Sequence, residues 1–110
     1  MEYDVDFVVT VSDVEFSGAT NSSSYCVGYP TSFFEDMARD WRGWHGEKQW
    51  ADIEDSCTFK ATMDAVGHVK LMVLLRGSTC CENRLVLVLH YEAGQLDDIA
   101  KRVKQFFISI

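Results

Sequence analysis

Four cysteines, three histidines, three tryptophans and seventeen carboxylates are the residues with which this 110-residue chain could do chemistry. The cysteines are Cys26, Cys57, Cys80 and Cys81. None forms a C-x-x-C pair or the paired knuckles of a zinc site. Neighbouring thiols such as Cys80 and Cys81 rarely bridge each other or share one metal. Free thiols are therefore expected, with Cys26 and Cys57 as small apolar core residues and Cys80 and Cys81 in an oxidisable loop. His45, His68 and His90 stand at no ligand spacing, so no metal site is expected. A Cys-His nucleophile would pair Cys57 with His68, but it needs an exposed thiol in positive surroundings. Cys57 instead falls on a strand beside acidic residues. There is no glycine-rich phosphate loop, no G-x-S-x-G and no H-E-x-x-H. No catalytic residue, cofactor or metal is expected.

The carboxylates Glu47, Asp52, Glu54, Asp55 and Asp64 crowd one stretch, without the D-x-D-x-D-G order of a calcium loop. They form either a solvated rim or an acidic surface that steers a basic partner into contact. Trp41, Trp44 and Trp50 all fall within ten residues of the same stretch. They either wrap a connection onto the core or anchor a partner. Loops on a rigid sheet are common binding sites. The candidate protein-binding set is therefore Trp44, Glu47, Trp50, Asp52, Glu54 and Asp55. Reversing Asp52, Glu54 and Asp55 to lysine is expected to slow association and leave the melting temperature nearly unchanged.

Residues of these kinds need a scaffold, and the composition allows one. Apolar residues make up 47% and charged residues 25%, an ordinary globular balance. The length fits a single domain spanning residues 1–110. The formal net charge of −7 argues against nonspecific nucleic-acid binding. No apolar run approaches a membrane span, and Met1-Glu2-Tyr3-Asp4 lacks the basic start of a signal peptide. A cytoplasmic protein is expected.

Hydrophobic period supplies the elements. Val5, Phe7, Val9 and Val11 alternate as a strand; Val14 and Phe16 change phase, which suggests a bulge near Ser12-Asp13. A polar loop is expected over 18–24 and a short strand over 25–29, stopped by Pro30. Ser32 and Glu35 have capping-box spacing, and Phe33, Phe34, Met37, Ala38 and Trp41 make one helical stripe. Residues 44–55 have no clean period and are expected to be a connection. Three alternating runs follow: Cys57 to Met63, Val69 to Leu75 and Leu85 to Tyr91, the first two joined by a turn at 64–67. Leu96, Ile99, Ala100, Val103, Phe106 and Phe107 mark a closing amphipathic helix. The order is ββαβββα, an α+β fold with an antiparallel sheet of about five strands and both helices on one face. Phe34, Met37, Trp41, Ile99, Val103 and Phe106 are expected to meet Phe59, Leu71 and Leu87. Val8, Met72, Leu74, Val86 and Val88 then make an opposite apolar face. Its expected cover is a second copy, a partner or the 12–29 segment.

Two stretches carry a family resemblance. Gly43-Trp44-His45-Gly46-Glu47-Lys48-Gln49-Trp50 and Asp64-Ala65-Val66-Gly67-His68-Val69 precede a helix opening with Gly94-Gln95-Leu96. The chain thereby resembles a family of small uncharacterised bacterial proteins with a G-W-x-G-x-K/R-x-W and D-x-x-G-H-V signature. The resemblance spans roughly 33 to 107 and departs at 78–83, where relatives often carry a tryptophan. The pattern is more loosely similar to immunity proteins that protect bacteria from wall-associated, tRNA-cleaving toxins. That similarity implies a non-enzymatic binding protein that blocks a basic toxin domain, and it brings no catalytic residues. The alternatives are a self-associating module, such as a homodimer, and a small-molecule binder near Trp44, His45 and His68.

Overall fold

The elements in chain order are β1 (Asp6–Ser12), β2 (Ser17–Ser23), α1 (Thr31–Arg39), β3 (Lys48–Ala51), β4 (Cys57–Met63), β5 (His68–Arg76), β6 (Arg84–Glu92), a 3-10 turn (Ala93–Gln95) and α2 (Leu96–Ile108). The computed structural model describes residues 3–77 and 82–109, so the loop expected to hold Cys80 and Cys81 lies outside the described residues. The fold is α+β with two antiparallel sheets, β1-β2 and β3-β4-β5-β6. The expected single sheet of about five strands is thus corrected to six strands in two sheets among the described residues.

The four-stranded sheet follows from its alternation. Phe59 pairs with Trp50 and Val73, and Val73 pairs with Leu87, so these side chains share one face. That face is buried: Cys57, Phe59, Ala61, Val69, Leu71, Val73, Leu75 and Leu87 all belong to the core. Helix α1 covers it with Phe33, Phe34 and Met37, both phenylalanines lying within 6 Å of the Phe59 ring. Helix α2 contributes Leu96, Ala100 and Phe107, and the Phe107 ring meets Phe7 of β1 edge-on at 5.1 Å. The β1-β2 hairpin therefore shares this core through Phe7 and Val11 instead of extending the sheet. Two stripe residues turn outward: Trp41 lies past the end of α1, and Phe106 points away while Phe107 packs inward.

Three local expectations change for physical reasons. The strand following β1 is the polar segment 17–23, and the expected strand over 25–29 is a turn at 25–27 followed by irregular chain. Its inward residues are small and hydrogen-bonded in place of apolar. Gly18 lies so close to Leu85 that a Cβ would stand 2.5 Å from its Cδ2. Thr20 donates to the carbonyl of Arg76 at 2.7 Å, and Ser22 donates to Asp52. Val14 and Phe16 do not continue β1 through a bulge; both are exposed in the hairpin turn closed by Asp13. Helix α1 starts after Pro30 without a side-chain cap, and the Ser32 hydroxyl donates back to Tyr29. No helix among the described residues is long and apolar enough to cross a membrane.

Candidate functional site

Strand β3 is four residues long, and it separates the candidate residues into two groups. Trp44 and Glu47 precede it. Trp44 is half-buried, its indole N–H points at the Ala61 carbonyl 3.4 Å away, and the Lys48 ammonium sits 5.2 Å from its ring. Lys48 in turn pairs with Asp40 at 2.7 Å, which holds the Asp40 carboxyl below the usual range. Glu47 is exposed. Trp50 lies in the core, stacked on Phe59 at 5.6 Å and tilted against Phe7 at 6.4 Å. Both Trp44 and Trp50 thus pin the connection to the sheet, and Trp41 is the exposed ring of the three.

The second group follows β3. Asp52 is only 5% exposed. Its Oδ1 accepts the backbone N–H of Ser56 at 2.7 Å and its Oδ2 accepts the Ser22 hydroxyl at 2.7 Å. The backbone of Asp52 continues the ladder, donating to Cys57 and accepting from Asp55. Asp52 therefore shapes the β3–β4 turn and ties it to β2. Asp55 takes a left-handed conformation, φ 57°, in that turn. A non-glycine residue there carries about 1 kcal/mol of strain. Ile53, Glu54 and Asp55 are exposed.

Between this turn and the β1-β2 hairpin lies an open cleft of about 690 Å³. Its walls include the carboxylates Asp6, Asp52 and Glu54 and the apolar side chains Phe7, Val8, Tyr25 and Ile53. Val8, Tyr25 and Ile53 are each more than half exposed, at 60%, 52% and 55%. The structure thus brings Asp52 and Glu54 of the candidate set together, with Asp55 in the same turn. Trp44, Glu47 and Trp50 do not line the cleft. Asp6, Val8, Tyr25 and Ile53 were not among the candidates. Val8 was assigned to an opposite sheet face, but it belongs to another sheet. The outward period of β1 and the exposed Ile53 between two acids were the signals that could have found them.

The remaining candidates disperse. Cys57 is fully buried, and burial, with Asp52 nearby, pushes its thiol up to about 12. It pairs with Leu75, seven residues along β5 from His68, so Cys57 and His68 lie roughly 23 Å apart along the strand. Cys26 is exposed with φ 64°, which corrects its expected place in the core. A second cleft of about 660 Å³ runs along His68, His90 and Glu92, but neither Trp44 nor His45 lines it. His68 there lies 3.2 Å from Asp64 and 3.6 Å from Glu92. Among the described residues no group of three His, Cys, Asp or Glu is placed to hold a metal ion.

The family model that matches this chain runs over residues 1–109, nearly its whole length. The chain belongs to the family of unknown function DUF6228. No curated protein and no solved structure matches it.

Proposed function

We propose that this DUF6228 protein is a non-enzymatic binding protein that seats a basic protein partner in the cleft between the β1-β2 hairpin and the β3–β4 turn. The observation that carries this reading is the mixture of groups there. Asp6 and Glu54 present carboxylates beside Val8, Tyr25 and Ile53, three apolar side chains left more than half exposed. Carboxylates set on-rate and choice of partner, and apolar side chains supply area to bury. Asp55 supports the reading, because glycine would sit in its left-handed turn with less strain. The net charge of −7 complements the basic surface a nuclease needs to hold nucleic acid.

The partner class is a bacterial toxin domain that cleaves RNA, with the chain as its immunity protein in the cytoplasm. The resemblance carried by the Gly43–Trp50 and Asp64–Val69 stretches supports this narrower choice. The reading requires no metal, cofactor or catalytic residue. Binding uses Asp6, Glu54 and Asp55 at the surface, while Trp50 and Asp52 fix the turn that presents them.

The test is protection. A toxin domain encoded beside this gene, expressed alone, should arrest growth, and co-expression of this chain should restore it. The variant Asp6→Lys/Glu54→Lys/Asp55→Lys should fold and fail to restore growth. Full protection by that variant, or no protection by the natural chain, overturns the reading.

A further inference from the structure

The face of the four-stranded sheet turned away from the helices carries a second surface, opposite in charge to the cleft. Register places its side chains in rows across the strands. Leu74 and Val86 pair in one row, and Met72 and Val88 pair in the next. Lys60 stands beside Met72, Lys70 beside His90, and Arg76 beside Arg84. The centre is apolar and open: Val86 and Val88 are 48% and 40% exposed. From the Arg76 row to the Lys70 row is roughly 20 Å, and three strands span roughly 10 Å between their axes. The apolar rows and the cations that bound them thus cover about 200 Å².

The rim is what identifies the partner. Lys60, Lys70, Arg76 and Arg84 are four of the chain's ten basic residues. Among the described residues none of the four pairs with a carboxylate, whereas four of the six basic residues elsewhere, Arg39, Lys48, Lys101 and Arg102, do. Among the described residues the carboxylates at this face are Asp64 and Glu92, both at its far end beside His68. We propose that this face docks an acidic protein partner, one that sets apolar side chains on Met72, Leu74, Val86 and Val88 and flanking carboxylates on the four cations. This surface is independent of the basic partner proposed for the cleft.

Charge also argues against the other occupants. Lys60 lies in the middle row of the face. A second copy stacked face to face by a two-fold would set Lys60 against its twin or against Val88, depending on the direction of the axis. Either way an ammonium is buried without a carboxylate, which is costly. Single-stranded nucleic acid needs aromatic platforms, but Trp50, Phe59 and Tyr91 alternate onto the helix side. An acidic protein satisfies both the cations and the apolar rows.

The experiment places a photo-crosslinking amino acid at Val86 in the full chain, expressed in its native cells. The expected result is one dominant protein adduct whose crosslinked peptide holds more Asp and Glu than Lys and Arg. Lys60→Glu/Lys70→Glu should reduce that adduct at least tenfold with an unchanged melting temperature. If the double reversal does not fold, Lys60→Gln/Lys70→Gln should still reduce it severalfold. The same crosslinker at Ile53 should give a different adduct, which separates this surface from the cleft. An adduct with a second copy, an adduct with nucleic acid, no adduct, or an adduct indifferent to both substitutions overturns the proposal.

Discussion

Replacing Asp52 with alanine removes one carboxylate and leaves two donors without it: the Ser22 hydroxyl and the Ser56 N–H, each now 2.7 Å from a carboxylate oxygen. Hydrogen bonds to a charged group contribute about 1.5–3 kcal/mol each. Ser22 is buried and finds no water easily, while Ser56 is half-buried and recovers part of its loss. The expected cost is therefore about 3 kcal/mol, a large share of the 5–15 kcal/mol typical of a domain. It should lower the melting temperature by roughly 10 °C. Asp52→Asn keeps an acceptor for Ser56 and offers its amide to the Ser22 oxygen, so it should cost only about 1 kcal/mol. Urea titrations of wild type, Asp52→Ala, Ser22→Ala and the double variant complete the test. The cycle should show coupling of about 1–2 kcal/mol between the two residues. An Asp52→Ala midpoint matching the wild type, or zero coupling, would refute the view that this contact ties β2 to the β3–β4 turn. The same reasoning withdraws Asp52→Lys as a probe of binding: an ammonium buried at that point should unfold the chain.

Cys57 should stay unlabelled by iodoacetamide at pH 8 in a Cys80→Ser/Cys81→Ser background, where Cys26 reacts readily; rapid native labelling of Cys57 would contradict its burial and its thiol near 12. Among the described residues the buried indole N–H of Trp50 finds no partner. Trp50→Phe should therefore cost only about 1–2 kcal/mol, against about 4 for Trp50→Ala, as read by urea unfolding. Asp64 accepts backbone N–H groups from His68 and Val66, and these hold its carboxyl below its ordinary 3.8. Its contribution is present above that value and lost as pH falls through the lowered one, so Asp64→Asn should flatten the acid limb of the stability profile below about pH 4 and change little in shape above it.

The β4–β5–β6 meander and α2 were legible because their buried faces are apolar at a clean period, as Val69, Leu71, Val73 and Leu75 show. The turn at 64–67 was legible from its Asp and Gly. Strand β2 was not, because its inward positions are Gly18, Thr20 and Ser22, held by close approach and hydrogen bonds that leave no hydrophobic signal. Strand β3 was missed because one buried residue, Trp50, in four cannot set a period. With β2 hidden, the cleft was hidden too, since half of its wall is β1 and β2. The acids at 52–55 were legible as a cluster; that Asp52 faces inward depends on Ser22, thirty residues away.

The most direct measurement of the central claim is the association rate of this chain with its proposed partner, a basic RNA-cleaving toxin domain, followed by stopped flow at low and at physiological ionic strength. The cleft carboxylates predict a rate that falls steeply with salt, because screening acts within about 8 Å at 0.15 M. Asp6→Lys/Glu54→Lys/Asp55→Lys should lower the low-salt rate by about tenfold or more and remove most of the salt dependence. Its melting temperature should match the wild type, because Asp6, Glu54 and Asp55 are exposed and none is tied by an ion pair among the described residues. A triple variant that associates at the wild-type rate at low salt would contradict the assignment of the cleft as the binding site.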